Sequence, residues 1–181
     1  ADVGRLMQLL KECEIDEKTL VLFTSDNGPH NEGGHSHEFF NSNGELTGFK
    51  RSMHEGGIRV AGLVRWPGHI KPGTVSDTPV IGSDIFSTAL DIVGIPLPAD
   101  RTIDGVSMIP AFEGKELERP VPLFWRTHIA PAASHAAMRI GDWKLVADRN
   151  FEKFQLYEIQ KDWQEKNNLA REKPEKLEEM K

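Results

Sequence analysis

The sequence predicts an α/β domain followed by a small antiparallel-sheet subdomain with a C-terminal helix, and three observations carry that prediction. Amphipathic helical stretches alternate with short apolar runs up to about residue 115. Beyond Gly114 the pattern changes to four short strand-like runs separated by turn residues. The tail from Gln164 is charged, with sparse apolar anchors at Leu169, Leu177 and Met180, the pattern of one or two short surface helices. The expected division is residues 1–115 and residues 116–181.

In chain order, Val3, Leu6, Met7 and Leu10 form a helical stripe within residues 2–13, and Thr19 to Thr24 reads as a strand. A long loop rich in Gly, His and Asn follows from Gly28 to Gly48, a length usually associated with function or mobility. Ile58 to Trp66 reads as the next strand, ended by the turn signals Pro67-Gly68 and Lys71-Pro72-Gly73. Ser83 or Asp84 can cap a helix whose apolar face is Ile85, Phe86, Ala89, Leu90 and Val93, stopped by Gly94 and Pro96. This alternation favours a largely parallel sheet covered by helices. Glu116 to Pro120 reads as a surface connection. Val121 to Thr127, Ala136 to Ile140, Trp143 to Ala147 and Phe154 to Tyr157 then form a meander, with a tight turn at Gly141-Asp142.

Composition narrows the function classes. The 181 residues suffice for a real core, and 38% hydrophobic with 28% charged residues is ordinary for a globular protein. The 28 acidic residues outnumber the 22 basic ones, giving a net charge of −6, and no basic stripe is evident; a nucleic-acid backbone is not expected as the partner. Cys13 is the single cysteine, which excludes an internal disulfide and a cysteine zinc cluster. Beside Leu9 and Leu10, it is expected to be a buried or half-buried small residue. No apolar run reaches the length of a membrane span and no signal-peptide pattern opens the chain, whose first residues read like the middle of a protein.

The chemistry concentrates in two stretches. Asp26 and Asn27 follow the apolar run Leu20-Val21-Leu22-Phe23, where ligands gather in α/β sheets, beyond the carboxyl end of a strand. A carboxylate and a carboxamide oxygen suit Ca²⁺ or Mg²⁺. The same three residues, Asp26-Asn27-Gly28, also favour an ordinary turn, so local sequence leaves both readings open. Lys50 is either a solvated surface lysine or a point charge for sulfate or phosphate oxygens; Gly48, Gly56 and Gly57 around it permit close backbone approach to a bound group. Glu55 and Arg59 are spaced as an internal ion pair, and His54 reads as a packing or hydrogen-bonding residue. His35 and His37, with His30, line a pocket or contact substrate in this reading, since no third ligand of convincing spacing supports a transition-metal site. His128 and His135 flank a Pro-Ala-Ala segment, near a substrate entrance or on a plain loop. Trp66, Trp125, Trp143 and Trp163 read as packing residues, although they could stack on sugars in a carbohydrate-binding module.

The ordered series Phe23-Thr24-Ser25-Asp26-Asn27-Gly28-Pro29, Gly48-Phe49-Lys50, Glu55-Gly56-Gly57-Ile58-Arg59-Val60 and Trp66-Pro67-Gly68 is continued by three further motifs. These are Asp104-Gly105-Val106-Ser107, Arg139-Ile140-Gly141-Asp142-Trp143-Lys144-Leu145-Val146 and Leu156-Tyr157-Glu158. In that order they resemble the C-terminal portion of type I sulfatases of the alkaline-phosphatase superfamily, the arylsulfatase and N-acetylgalactosamine-6-sulfatase-like enzymes. The resemblance covers essentially the whole chain. It implies the C-terminal part of an alkaline-phosphatase-like mixed sheet with flanking helices in residues 1–115, and the antiparallel subdomain after it. It implies that Asp26 and Asn27 are two ligands of a Ca²⁺ ion and that Lys50 binds the sulfate ester and stabilises charge near the scissile bond. The formylglycine nucleophile of such enzymes arises from a Cys/Ser-x-Pro/Ala-x-Arg motif, and Cys13, followed by Glu14-Ile15-Asp16, does not provide one. The resemblance thus implies a missing N-terminal half bearing the nucleophile, an inactive isolated chain, a sulfated carbohydrate or aryl sulfate ester as substrate, and a periplasmic, extracellular or lysosomal location. A phosphoester or phosphonate hydrolase of the same superfamily is the alternative with the same cation and oxyanion logic.

Overall fold

The computed structural model describes residues 2–129 and 133–181, so Pro131 and Ala132 of the Pro-Ala-Ala segment lie outside the described residues. The chain divides into two compact units, each built from discontinuous segments. One comprises the residues up to Thr24 together with Ala61–Val121; the other comprises Ser25–Val60 and Pro122–Lys181.

In the first unit, helix α1 (Asp2–Glu12) leads through a single 3-10 turn at Asp16–Lys18 to strand β1 (Val21–Thr24), which pairs with β2 (Gly62–Arg65). The pairing is antiparallel, with Phe23 opposite Leu63, and so departs from the parallel expectation. No compact βαβ crossover joins the two strands; the chain leaves at Thr24 and returns at Ala61. Arg65 Nη2 donates to Asp16 Oδ2 at 2.8 Å and pins the 3-10 turn to β2. Strand β2 is also shorter than the expected Ile58 to Trp66, because Glu55–Ile58 forms one helical turn, α2. Cys13 falls just past α1 and is exposed, not buried as its apolar neighbours suggested, since α1 buries none of its residues.

Helix α3 (Asp84–Ile92) is fastened by polar groups. Asp84, fully buried, accepts from the amides of Ile81 (2.8 Å) and Val106 (3.0 Å) and pairs with the Arg119 guanidinium. Ser83 makes no side-chain cap bond, so the carboxylate of Asp84 supplies the anchoring. Thr88 Oγ1 donates to the Asp84 carbonyl at 2.7 Å and accepts from the Met108 amide at 2.9 Å, which ties in the short helix α4 (Ile109–Phe112). The expected apolar face points the other way: Phe86 is 49% and Val93 63% exposed.

The second unit holds the larger sheet, a meander in the order β3 (Leu123–Arg126), β4 (Ala136–Ile140), β5 (Trp143–Ala147), β6 (Phe154–Glu158), antiparallel throughout. Period-two alternation sorts its side chains into two clusters. Val146 and Tyr157 face Met53, Ala137 and Ile159. Leu145 and Leu156 face the opposite way, onto Met180, Leu169 and Leu177 of the C-terminal segment that carries helix α5 (Pro174–Glu179). Those three tail residues are the anchors read from the sequence. Leu156 is completely buried, and Leu156→Ala is expected to lower the unfolding free energy by about 2–5 kcal/mol in urea melts.

Candidate cation and anion site

Strand β1 ends at Thr24, and the next residues turn sharply within the second unit. Ser25 Oγ donates to the Asn27 carbonyl at 3.0 Å and lies 3.5 Å from Asp26 Oδ1. The Asn27 side-chain Nδ2 donates to the Gly28 carbonyl at 2.9 Å, which leaves Oδ1 as its acceptor atom. Asp26 is exposed and Asn27 half-buried. Two hard oxygen donors side by side fit part of a calcium shell. Among the described residues no cluster of three or more His, Cys, Asp or Glu side chains could hold a metal by itself.

Backbone contacts bring Lys50 to this turn. The Gly28 amide donates to the Gly57 carbonyl at 2.9 Å and the Lys50 amide to the Pro29 carbonyl at 2.8 Å. The glycines are what allow it. A Cβ on Gly28 would lie 1.9 Å from the Gly56 carbonyl oxygen, one on Gly56 2.1 Å from that of Gly48, and one on Gly57 2.1 Å from that of Ser52. The close approach anticipated for a bound group is thus an approach of backbone to backbone, and it packs the Asp26 turn against the segment bearing Lys50.

Lys50 lines a cleft of about 180 Å³ with His30, Asn31, Glu32, Phe49 and Arg51. Its Nζ lies 3.4 Å from Glu32 Oε2, while the other Glu32 oxygen pairs with Arg51. Desolvation works upward on the Glu32 carboxyl, but the Arg51 guanidinium and the Lys50 ammonium outweigh it and hold it below the ordinary carboxylate range. Arg51 adopts a left-handed backbone (φ 78°), a conformation that costs energy for a residue with a side chain. A carboxylate already meets two cations here, and this is the charge pattern an oxyanion would require.

His35 and His37 brace the cleft instead of lining it. His37 stacks on Phe49 with ring centroids 4.6 Å apart and accepts no place in the lining, its amide donating to Asn31 Oδ1 at 2.9 Å. His35 packs beside His30 at 5.1 Å. His54 hydrogen-bonds Gln155 Oε1 (2.8 Å) and Ser52 Oγ (3.1 Å), the role read from sequence. Tyr157 donates to the same Gln155 oxygen at 2.7 Å, and burial with the nearby Glu165 and Asp162 charges pushes its phenol up to about 12. His135 is buried and His128 exposed. Trp125 and Trp143 pack against the sheet clusters, Trp66 stacks on His69, and Trp163 is 41% exposed.

The same unit holds a charged cluster that the sequence did not single out. Lys144, fully buried on β5, sets its Nζ 2.7 Å from Glu55 Oε1 and 2.8 Å from Glu165 Oε1. Glu165 Oε2 accepts from the Glu55 amide at 2.6 Å. Arg59 lies 3.8 Å from the other Glu55 oxygen, so the expected Glu55–Arg59 pair forms but is secondary to Lys144. A signal was present: Lys144 shares its strand face with Val146, so period two sends it inward.

The turn sets a carboxylate and a carboxamide next to a segment that carries two cations, and comparison with known proteins gives the family. Residues 44–180 match the model described as N-sulphoglucosamine sulphohydrolase, C-terminal. The chain is 44% identical to human (Homo sapiens) steryl-sulfatase over 115 residues, which is 62% of this chain and 20% of that protein. It is 36% identical to N-acetylgalactosamine-6-sulfatase of Sus scrofa over 147 residues, 78% of this chain and 27% of that protein. Among solved structures, a protein in complex with its substrate D-glucosamine-2-N,6-O-disulfate superposes with a TM-score of 0.76 at 26% identity, over 98% of this chain and 35% of that one. The phosphonate monoester hydrolase of Agrobacterium radiobacter superposes with a TM-score of 0.61 at 28% identity, over 93% of this chain and 34% of that one. The chain belongs to the sulfatase family, with the alkaline-phosphatase-like fold of its neighbours, and spans about a quarter of the length of the curated relatives it matches. No helix among the described residues is long and apolar enough to cross a membrane.

Proposed function

We propose that this chain is the C-terminal portion of a calcium-dependent sulfatase that hydrolyses sulfate esters of a carbohydrate or an aryl alcohol to the alcohol and sulfate. The observation that supports the reading is the backbone union of the Asp26-Asn27 turn with the segment bearing Lys50, through the bonds of Gly28 to Gly57 and of Lys50 to Pro29. In this reading Asp26 and Asn27 hold one side of the ion and Lys50 orients the sulfate ester. The ion, when bound, supplies positive charge for the sulfate oxygens. Lys50 does the same from the protein side, its backbone tied to Pro29. His35 and His37, expected from sequence to contact substrate, act at one remove by bracing His30 and Phe49 in the cleft wall. Residues 1–115 form part of the catalytic α/β domain and residues 116–181 the small subdomain. The nucleophile, a formylglycine, and the remaining metal ligands come from the N-terminal half of the enzyme, which also covers the apolar sides of α1 and α3, where Leu6 is 61% exposed. A periplasmic, extracellular or lysosomal site of action accompanies this reading.

The relatives' names and the glucosamine disulfate bound by a structural neighbour support it. The phosphonate monoester hydrolase among the neighbours supports a second reading, in which the same cleft serves a phosphonate ester. Sulfate release by the whole enzyme separates the two. An aryl sulfate is expected to be turned over faster than the matching phosphonate monoester, and Asp26→Ala to lose activity that added calcium partly restores. Preference for the phosphonate ester would select the second reading. The isolated 181-residue chain is expected to release no sulfate; turnover by it would sink the claim that the nucleophile lies elsewhere.

A further inference from the structure

We infer that Lys144, Glu165 and Glu55 form a positioning device that fixes the Asp26-Asn27 turn and Lys50 relative to the sheet; the inference deepens the reading of that site and rests on it for its functional meaning. The contacts form a continuous path. Lys144 projects from the middle of β5 with no solvent exposure and bridges Glu55 and Glu165. Glu165 receives the Glu55 amide, the first of helix α2, and so fixes where that turn begins. From there Gly57 offers its carbonyl to the Gly28 amide, the Gly56 amide reaches the Thr47 carbonyl at 2.8 Å, and the Lys50 amide reaches Pro29. Thr47 is held in turn by the Gln164 carbonyl through its hydroxyl at 2.6 Å, beside Glu165. Residues 28, 47–50 and 55–57 thereby make one hydrogen-bonded knot, attached through Gln164, Glu165 and the buried Lys144 ammonium, with His54 reaching Gln155 of β6 and Met53 packed on Val146 beside them.

Two features argue that the attachment is specific. Buried charges cost desolvation, and an apolar contact of similar volume would bind the same surfaces without dictating a single geometry. Val146 and Met53 on the same face show that apolar packing was available. Glu165 also takes a left-handed backbone (φ 57°), a strained conformation that persists only where the surroundings enforce it. The ammonium's hydrogen bond to Glu55 and the Glu55 amide's bond to Glu165 set direction as well as distance, while the Lys144–Glu165 ion pair closes the cluster by charge.

Residue-resolved amide hydrogen exchange on the 181-residue chain tests the proposal without any ligand, so a failed sulfate-ester assay and a failed positioning role remain distinguishable. In the wild type the Gly28, Lys50, Glu55 and Gly56 amides are expected to open together, with one denaturant dependence. Glu165→Gln keeps an oxygen for the Glu55 amide and removes the charge; Lys144→Met removes the bridge. Both are expected to speed exchange at Gly28, Gly56 and Lys50 by roughly tenfold or more relative to amides of β4–β6. A role confined to overall stability would speed all of them by one factor, as Leu156→Ala should. Uniform acceleration in Glu165→Gln, or exchange at Gly28 and Lys50 unchanged against the strands, overturns the proposal. If Lys144→Met does not fold, Glu165→Gln decides; if neither folds, separate opening of the four amides in the wild type overturns it.

Discussion

Lys144→Met is expected to lower the unfolding free energy by about 3–5 kcal/mol at neutral pH, among the largest losses any single substitution in this chain should cause. Methionine fills most of the volume, so lost packing contributes little. The cost comes from two carboxylates, Glu55 and Glu165, left in a buried region where the half-exposed Arg59 at 3.8 Å, Arg139 and His54 compensate only in part. Burial already raises the Glu165 carboxyl above its ordinary value of 4.5, against the opposing pull of Lys144. Without the ammonium that rise is larger. A carboxyl whose folded value is raised binds protons more readily folded than unfolded, so its contribution to stability is full below the unfolded value and is lost as pH rises above it. The penalty of Lys144→Met should therefore shrink as pH falls toward 4.5, and urea melts at neutral and mildly acidic pH read it directly. Adding Glu165→Gln should return part of the loss. A penalty that grows on acidification would mean that the carboxylates are not what the lysine offsets.

The meander was legible because alternation, turn chemistry and pairing agree there. Trp143 to Ala147 reads as a strand with a turn before it, and β5 occupies those residues, paired residue for residue with Ala136 to Ile140. Agreement failed at the start of the strand expected from Ile58 to Trp66, where Ile58 closes helix α2 and β2 begins only at Gly62. Hydrogen bonds from Gly28 and to Thr47, residues distant in sequence, outweigh local preference. Helix α3 was placed correctly, yet its buried side is Asp84, Ser87 and Thr88, since the partners it meets, the Val106 amide, the Gly105 carbonyl and Arg119, are polar. Asp26, Asn27 and Lys50 stood out by residue type beside glycines. Glu32, Arg51 and Glu165 did not, for each is an ordinary charged residue in a charged or polar stretch. Only a contact across 110 residues makes Glu165 a partner of the Glu55 amide, and no local window contains it.

Lys50→Ala in the whole enzyme is expected to lower kcat for a sulfate ester by roughly 10²–10³-fold while leaving the fold intact. The two halves of that expectation have separate physical grounds. Stability is spared because the Lys50 side chain is 32% exposed and its contact with Glu32 at 3.4 Å is long and open to water, a kind of pair worth about 0–1 kcal/mol. Arg51 remains to hold Glu32. Rate is not spared in the proposed reading, where the ammonium supplies positive charge to the sulfate as negative charge develops. The division between kcat and KM identifies what the lysine does. A loss confined to KM would make Lys50 a group that binds ester and transition state equally, and a kcat within about twofold of wild type would remove it from the catalytic machinery altogether. Lys50→Arg should recover only part of the rate, since the planar guanidinium is wider than the ammonium that this cleft of about 180 Å³ holds beside Phe49 and Glu32.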